Sequence, residues 1–155
     1  MDLALRPMTA NQFDSWRERS MRNYAQEFVD SGALPPADAK MSAAADFQRL
    51  LPDGLATAHH DLWIAVDDDQ PVGVLWLFTK SRATGPESFI YELSVHEDKR
   101  RRGYGRAIML AALDVCRRRG VVSVGLNVFG HNASARELYD SLGFAVVSTS
   151  MKLTL

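Results

Sequence analysis

His96-Glu97-Asp98-Lys99-Arg100-Arg101-Arg102-Gly103-Tyr104-Gly105-Arg106 is the stretch whose reading decides the fold. The apolar run before it, Phe89 to Val95, predicts a strand. The residues after it, Tyr104, Ile108, Ala111 and Val115, with Ala107 and Ala112 beside them, recur at helical spacing. That helix has no Ser, Thr, Asp or Asn where its N-cap should stand, so its first N–H groups lack a side-chain partner. Four cations, Lys99 to Arg102, crowd the positive end of its dipole, an unfavourable arrangement in isolation. Both defects vanish if an anion sits there. Backbone N–H groups then cradle a phosphate, the two glycines let the main chain come close, and arginines add charge-assisted contacts. The stretch reads as a diphosphate site. It lacks the Gly-Lys-Ser/Thr of a Walker loop, and the third glycine of a dinucleotide fingerprint is replaced by Ile108.

Downstream, Arg117-Arg118-Arg119 occupy the last turn of that helix, the sign its dipole favours, and Gly120 suits the position after it. Val121 to Phe129 predicts a buried strand, Asn132 to Leu142 a helix stopped by Gly143, and Phe144 to Leu155 one long strand or a strand pair. Upstream, Leu3 and Leu5 mark a short strand closed by Pro7. Thr9 or Asn11 can cap a helix carrying Phe13, Trp16, Ser20, Met21, Tyr24 and Phe28, ended by Gly32 and Pro35-Pro36. A second helix is expected from about Ala37 to Leu51, then a turn at Pro52-Asp53-Gly54. Leu62–Val66 and Val72–Phe78 form a hairpin about Asp67 to Gln70, and Lys80 to Ser88 is a loop. The order is β, two helices, three strands, then α, β, α, β. It predicts a mixed sheet whose β-α-β unit holds a parallel pair with a right-handed crossover.

The 155 residues fit one domain, residues 1–155, with no repeat or linker. A net charge of -1 directs the chain toward neither nucleic acid nor membrane. A single cysteine, Cys116, forms no internal disulfide, the N-terminus does not read as a secretory signal, and no apolar run reaches membrane-spanning length. The expected location is cytoplasmic.

Arg100-Arg101-Arg102-Gly103-Tyr104-Gly105 resembles the Arg/Gln-x-x-Gly-x-Gly/Ala pyrophosphate loop of the GCN5-related N-acetyltransferase (GNAT) superfamily. Tyr91-Glu92-Leu93-Ser94-Val95 resembles the fourth strand of that family. Leu126-Asn127-Val128, then Asn132, Ala135 and Leu138-Tyr139, ending at Leu142-Gly143-Phe144, resembles its fifth strand and following helix. The likeness runs from about Phe89 to Phe144 in order and spacing. It implies an α/β (α+β) fold: a mixed, mostly antiparallel sheet with splayed parallel strands 4 and 5 and helices on both faces. It implies acetyl-CoA as cosubstrate, with no metal, and transfer of the acetyl group from the thioester directly to a primary amine. Arg100, Arg101, Arg102, Gly103, Tyr104, Gly105 and Arg106 then hold the pyrophosphate. Main-chain groups of Leu93 and Val95 pair with the pantetheine arm, and an N–H of Leu93 or Ser94 steadies the thioester oxygen. Asn132, with Ala135 in the same motif, bonds the pantetheine or neighbouring backbone.

Amide formation needs a base for the amine, donors for the oxyanion and a proton for the leaving thiolate. The resemblance implies Tyr139 as general acid; the plain alternative is a core tyrosine. Glu92 is the candidate base. Strand alternation sets it opposite Leu93, on a face expected to be shared with Tyr91 or Ser94 only through twist or a bulge. As a simple strand carboxylate it could also pair with substrate charge. Asn127 stands where some relatives carry a glutamate base; an amide takes no proton there, which leaves it to bond substrate or cofactor.

Cys116 has no His or Asp near it in sequence and reads as a structural thiol. His59-His60-Asp61 lacks the second cluster a metal site needs. Trp16, Tyr24, Glu27, Phe28 and Asp30 include core residues of an amphipathic helix and one or two that line an acceptor site. Two rival readings use the same loop. A module that binds acyl-CoA without turnover would carry it unchanged. A nucleic-acid-binding domain would use Lys99–Arg102 and Arg117–Arg119, which fall roughly 20 Å apart at opposite ends of one helix and form no single stripe. The acceptor is a small-molecule or peptide amine. Family members often form homodimers, on which this sequence is silent.

Overall fold

The computed structural model describes residues 1–155. Its strands are β1 (Leu3–Pro7), β2 (His60–Asp67), β3 (Gln70–Lys80), β4 (Glu87–Val95) and β5 (Ser123–Leu126). Its helices are α1 (Ala10–Asp30), α2 (Pro36–Leu50), α3 (Tyr104–Arg118) and α4 (Ala133–Ser141). The strands form one sheet in the order β1-β2-β3-β4-β5. The first four are antiparallel and β5 runs parallel to β4, the mixed α/β arrangement expected. The chain divides into two compact units, Met1–Gly125 and Leu126–Leu155. No helix is long and apolar enough to cross a membrane.

Thr9 starts α1 with a capping box. Its hydroxyl accepts from the Gln12 N–H at 3.3 Å, and the Gln12 side chain accepts from the Thr9 N–H at 2.9 Å. The buried stripe of α1, Phe13, Trp16 and Ser20, packs with Phe47 of α2 onto Leu62, Ile64, Val66, Val74 and Trp76 of the sheet. Trp16 lies at the centre of this layer, its ring 5.7, 5.9 and 5.4 Å from those of Phe13, Phe47 and Trp76.

The opposite face belongs to α3, whose Ile108, Met109, Ala112 and Cys116 are buried. Arg119, just past its end, lies over the Trp63 ring and pairs with Asp61 at 2.5 Å. Burial raises the Cys116 thiol above its ordinary range, so it stays protonated in a structural role. Gly73 marks the closest approach of sheet and helix. A Cβ there would stand 2.3 Å from the Ser94 carbonyl oxygen and 2.8 Å from Ile108 Cδ1.

Two expectations are corrected. Val121–Phe129 is not one buried strand: β5 has four residues, and Val122 and Phe129 are more than half exposed. Phe144–Leu155 forms no strand at all, with Val147, Met151, Leu153 and Leu155 almost fully exposed. Apolar alternation supplies strand preference only where a ladder and a buried face exist, and this segment has neither. In the smaller unit, α4 is capped by Asn132, whose Oδ1 accepts from the Ala135 N–H at 3.3 Å.

The hairpin turn reaches the start of α3. Asp68 and Asp69 take left-handed φ values of 47° and 63°, the turn geometry of a two-residue hairpin. Asp67 beside them accepts the Tyr104 hydroxyl at 2.7 Å and the Asp2 N–H at 2.7 Å. The Tyr104 hydrogen bond, then the one from Asp2, holds the Asp67 carboxyl below its ordinary value. The same contact with Asp67 raises the Tyr104 phenol.

Two outcomes follow for stability. Gly73→Ala should lower stability by about 1–3 kcal/mol, because the added methyl meets backbone that cannot yield freely; an unchanged denaturant midpoint would contradict the packing. The lowered Asp67 carboxyl contributes stability that is complete above its unfolded value of 3.8 and is lost as pH falls through the folded value. The raised Tyr104 phenol contributes stability complete below 10.0 and lost only above it. The thermal-midpoint gap between wild type and Tyr104→Phe should therefore stay constant from about pH 5 to 9 and close in stronger acid. A gap that persists at pH 2 would show that this pair is not its source.

Candidate active site

The His96–Arg106 segment takes the form its sequence suggests. A short 3₁₀ turn at Glu97–Lys99 leads into Arg101 at φ 63° and Gly103 at φ 83°, both left-handed, and Gly103 occupies the N-cap of α3 without any side-chain cap. The main-chain N–H groups of Arg101–Gly105 find no acceptor within the protein: the flanking loop bonds run from Lys99 to His96 and Arg100 to Glu97, and the first helical one from Ala107 to Gly103. A Cβ on Gly103 would meet nothing within 4 Å, so the space above the loop is open. Arg100, Arg101, Arg102 and Arg106 are exposed, and none of the first three forms an ion pair. Left-handed residues alternating into an uncapped helix end make a nest of N–H donors, in a segment that also carries Arg100, Arg101, Arg102 and Arg106. The donor set fits a diphosphate. Tyr104 does not offer its hydroxyl to that site, since it is engaged by Asp67 at 2.7 Å; its contribution is to fix the loop.

β4 carries the next part. Leu77 pairs with Ile90 but Trp76 pairs with Glu92, so Tyr91 is an extra residue, a β-bulge. Plain alternation from Ile90 would send Glu92 to the α3 face. The bulge returns it to the α1 face, with Tyr91 packed on Trp76 at 4.7 Å. There the Glu92 carboxylate accepts three hydrogen bonds. Trp16 Nε1–H and Ser20 Oγ–H donate to Oε2 at 3.1 and 2.8 Å, and Ser94 Oγ–H donates to Oε1 at 3.0 Å.

Beyond the bulge the main chain alternates cleanly. The Ser94 carbonyl lies against Gly73 of β3, and the His96 N–H donates to Val72 of β3 at 2.9 Å. Leu93 and Val95 therefore direct their main-chain groups to the other edge, where Arg100 Nε donates to the Val95 carbonyl at 3.3 Å. β5 lies alongside the start of β4: Val122 N–H donates to the Pro86 carbonyl at 2.8 Å, and Gly125 faces Phe89. As a strand it ends at Leu126. Of the two candidate oxyanion donors, Ser94 directs its N–H to the β3 side, whereas the Leu93 N–H points to the other edge.

In the smaller unit Asn127 and Asn132 are exposed. Asn132 spends its side-chain oxygen on the α4 cap, and the Ala135 N–H is the donor it satisfies, so the Asn132 amide NH2 is the group left for a ligand. Tyr139 is half-buried with its ring 5.7 Å from Phe144, and burial raises its phenol above the ordinary range. It stays protonated at neutral pH and can give that proton.

Other candidates have structural employment. His60 accepts at Nδ1 from Trp76 Nε1–H at 2.9 Å and stacks on Phe78 at 4.6 Å. Tyr24 donates to Asp46 at 3.1 Å. Trp16, expected as core or acceptor lining, is core by burial and donates its indole N–H to Glu92. The sequence places Ser20 on the helical stripe and Asp67 in the hairpin turn without giving either a role at the site. A serine one turn after a tryptophan on a buried stripe is a visible signal, but its partner lies 72 residues away.

With this geometry in hand, comparison with known proteins is direct. The pattern of the acetyltransferase (GNAT) family matches residues 13–144. The chain is 34% identical over 156 residues to an uncharacterised N-acetyltransferase, YycN, of Bacillus subtilis, covering 100% of both chains. It is 28% identical over 156 residues to a second one from that organism, YdgE, covering 100% of this chain and 99% of the other. Against the crystal structure of YycN, a putative acetyltransferase, the TM-score is 0.93 over 99% of this chain and 98% of that one. A shorter likeness, 35% over 72 residues, relates 46% of this chain to 49% of the Escherichia coli alanine N-acetyltransferase of ribosomal protein bS18. The chain belongs to the GNAT acetyltransferase family, and it is an acyltransferase.

Proposed function

We propose that the protein transfers an acetyl group from acetyl-CoA to a primary amine, presented by a small molecule or a peptide. The observation that carries this reading is the uncapped, glycine-broken, arginine-flanked start of α3, a set of donors that suits the diphosphate of coenzyme A. Arg100, Arg101, Arg102 and Arg106 supply charge, Gly103, Tyr104 and Gly105 supply main chain, and Leu93 and Val95 offer an edge for the amides of the pantetheine arm. Asn127 and Asn132 lie in the segment that resembles the rest of the family's cofactor site. Relatives named as N-acetyltransferases support transfer to nitrogen, and one of them acts on an alanine of ribosomal protein bS18.

The chemistry divides among three groups. The acceptor arrives as an ammonium and gives one proton to Glu92, directly or through water. Its nitrogen then attacks the thioester carbonyl, forming a C–N bond while the Leu93 N–H steadies the oxygen. The C–S bond breaks, the amine's second proton goes to solvent, and the Tyr139 phenol protonates the departing thiolate. No covalent intermediate on the protein is required.

Thiol release from acetyl-CoA should be measured with spermidine, lysine amide, an aminoglycoside and a peptide beginning with alanine. At least one amine should give turnover, and Tyr139→Phe should lower kcat on it by about 10²-fold or more, with acetyl-CoA affinity nearly kept. Unchanged turnover would remove Tyr139 from the reaction. Tight CoA binding with no turnover on any amine would leave a binding module instead.

A further inference from the structure

We propose that Trp16 and Ser20 of α1 are positioning residues that aim the Glu92 carboxylate at the acceptor, and that the acceptor meets Glu92 at Oε1. This inference rests on the acyl-transfer reading above and concerns how its base is held. A carboxylate offers about four acceptor sites, two on each oxygen. Oε2 has both filled, by the Trp16 indole at 3.1 Å and the Ser20 hydroxyl at 2.8 Å. Oε1 has one filled, by the Ser94 hydroxyl at 3.0 Å. The remaining site is on Oε1, and that is where an ammonium or a relaying water finds an acceptor.

The two α1 donors are unlike ordinary surface partners. Trp16 is 1% exposed and Ser20 is 7% exposed, and they stand one turn apart on the same face of a capped helix. The Trp16 ring is held among Phe13, Phe47 and Trp76, so its N–H is fixed in direction. Ser20 is one of only two buried polar residues, and the other, Ser88, is paired with Thr79. A helix-on-sheet layer closes more cheaply with apolar residues than with a carboxylate and a hydroxyl. Spending buried donors on Glu92 makes sense if the direction of its free lone pair matters. A flexible side chain is thereby fixed from rigid elements on both oxygens. The bulge at Tyr91 is part of the same device, because without it Glu92 would leave this face.

The test compares Ser20→Ala, Trp16→Phe, Glu92→Gln and the Ser20→Ala/Glu92→Gln pair, on the amine of the panel that turns over fastest. Trp16→Phe keeps a ring in the core and deletes the N–H. Ser20→Ala and Trp16→Phe should each lower kcat about tenfold with KM for acetyl-CoA unchanged, and Ser20→Ala should cause no further loss once Glu92 is Gln. A purely structural Ser20 would lower the thermal midpoint and cost the same factor in both backgrounds, which overturns the proposal. If Glu92→Gln abolishes turnover while both α1 variants keep it, positioning fails and the base survives. If Glu92→Gln keeps wild-type turnover, or no amine is accepted at all, the underlying reading fails and takes this inference with it.

Discussion

A helix that begins without a cap carries several N–H donors and a half-unit of positive charge into the open. At α3 this is compounded by Arg100, Arg101 and Arg102, none with a carboxylate partner. Much of the larger unit is arranged around holding that unfavourable end in place. Gly103 turns the chain into the helix through a left-handed conformation, and Tyr104 reaches back to Asp67 at the hairpin turn. Ile108 and Met109 bury the next turn against the sheet, where Gly73 makes the room. A loop so anchored at both sides is pre-shaped for an anion rather than shaped by one.

The second organising feature is the single extra residue in β4. By inserting Tyr91 between the ladder partners of Leu77 and Trp76, it changes which face Glu92 occupies. The three donors then fix the carboxylate, while Leu93 and Val95 turn their main-chain groups to the other strand edge, where the Val95 carbonyl accepts from Arg100. On the proposed reading, nucleotide end, pantetheine edge and base would all be set by one continuous stretch, from Glu92 to Arg106, with α1 orienting the Glu92 carboxylate from across the core.

Local signals were legible in the sequence where local physics decides. The α1 cap, offered by Thr9 or Asn11 and made by Thr9, the glycines at 103 and 120, the hairpin about Asp67 to Gln70 and the uncapped α3 are all short-range events, and they stand where their residues imply. The side of the sheet on which Glu92 lies was legible only as a condition, because a bulge is a matter of how two strands register. Trp16 and Ser20 donating to Glu92 from 76 and 72 residues away is a tertiary fact: the stripe shows the two donors, but nothing local names their partner. The last segment failed for the converse reason. Phe144–Leu155 carries strand-like alternation, but alternation cannot form a strand without a ladder partner.

The central claim is that the start of α3 holds a diphosphate. Calorimetric titration of the folded protein with CoA and, separately, with pantetheine, which shares the arm but lacks the diphosphate, isolates it. The account predicts measurable heat and binding for CoA, weakening as salt is raised, and loss of at least about tenfold in affinity for pantetheine. Equal affinity for the two, or no binding of CoA at all, would contradict it.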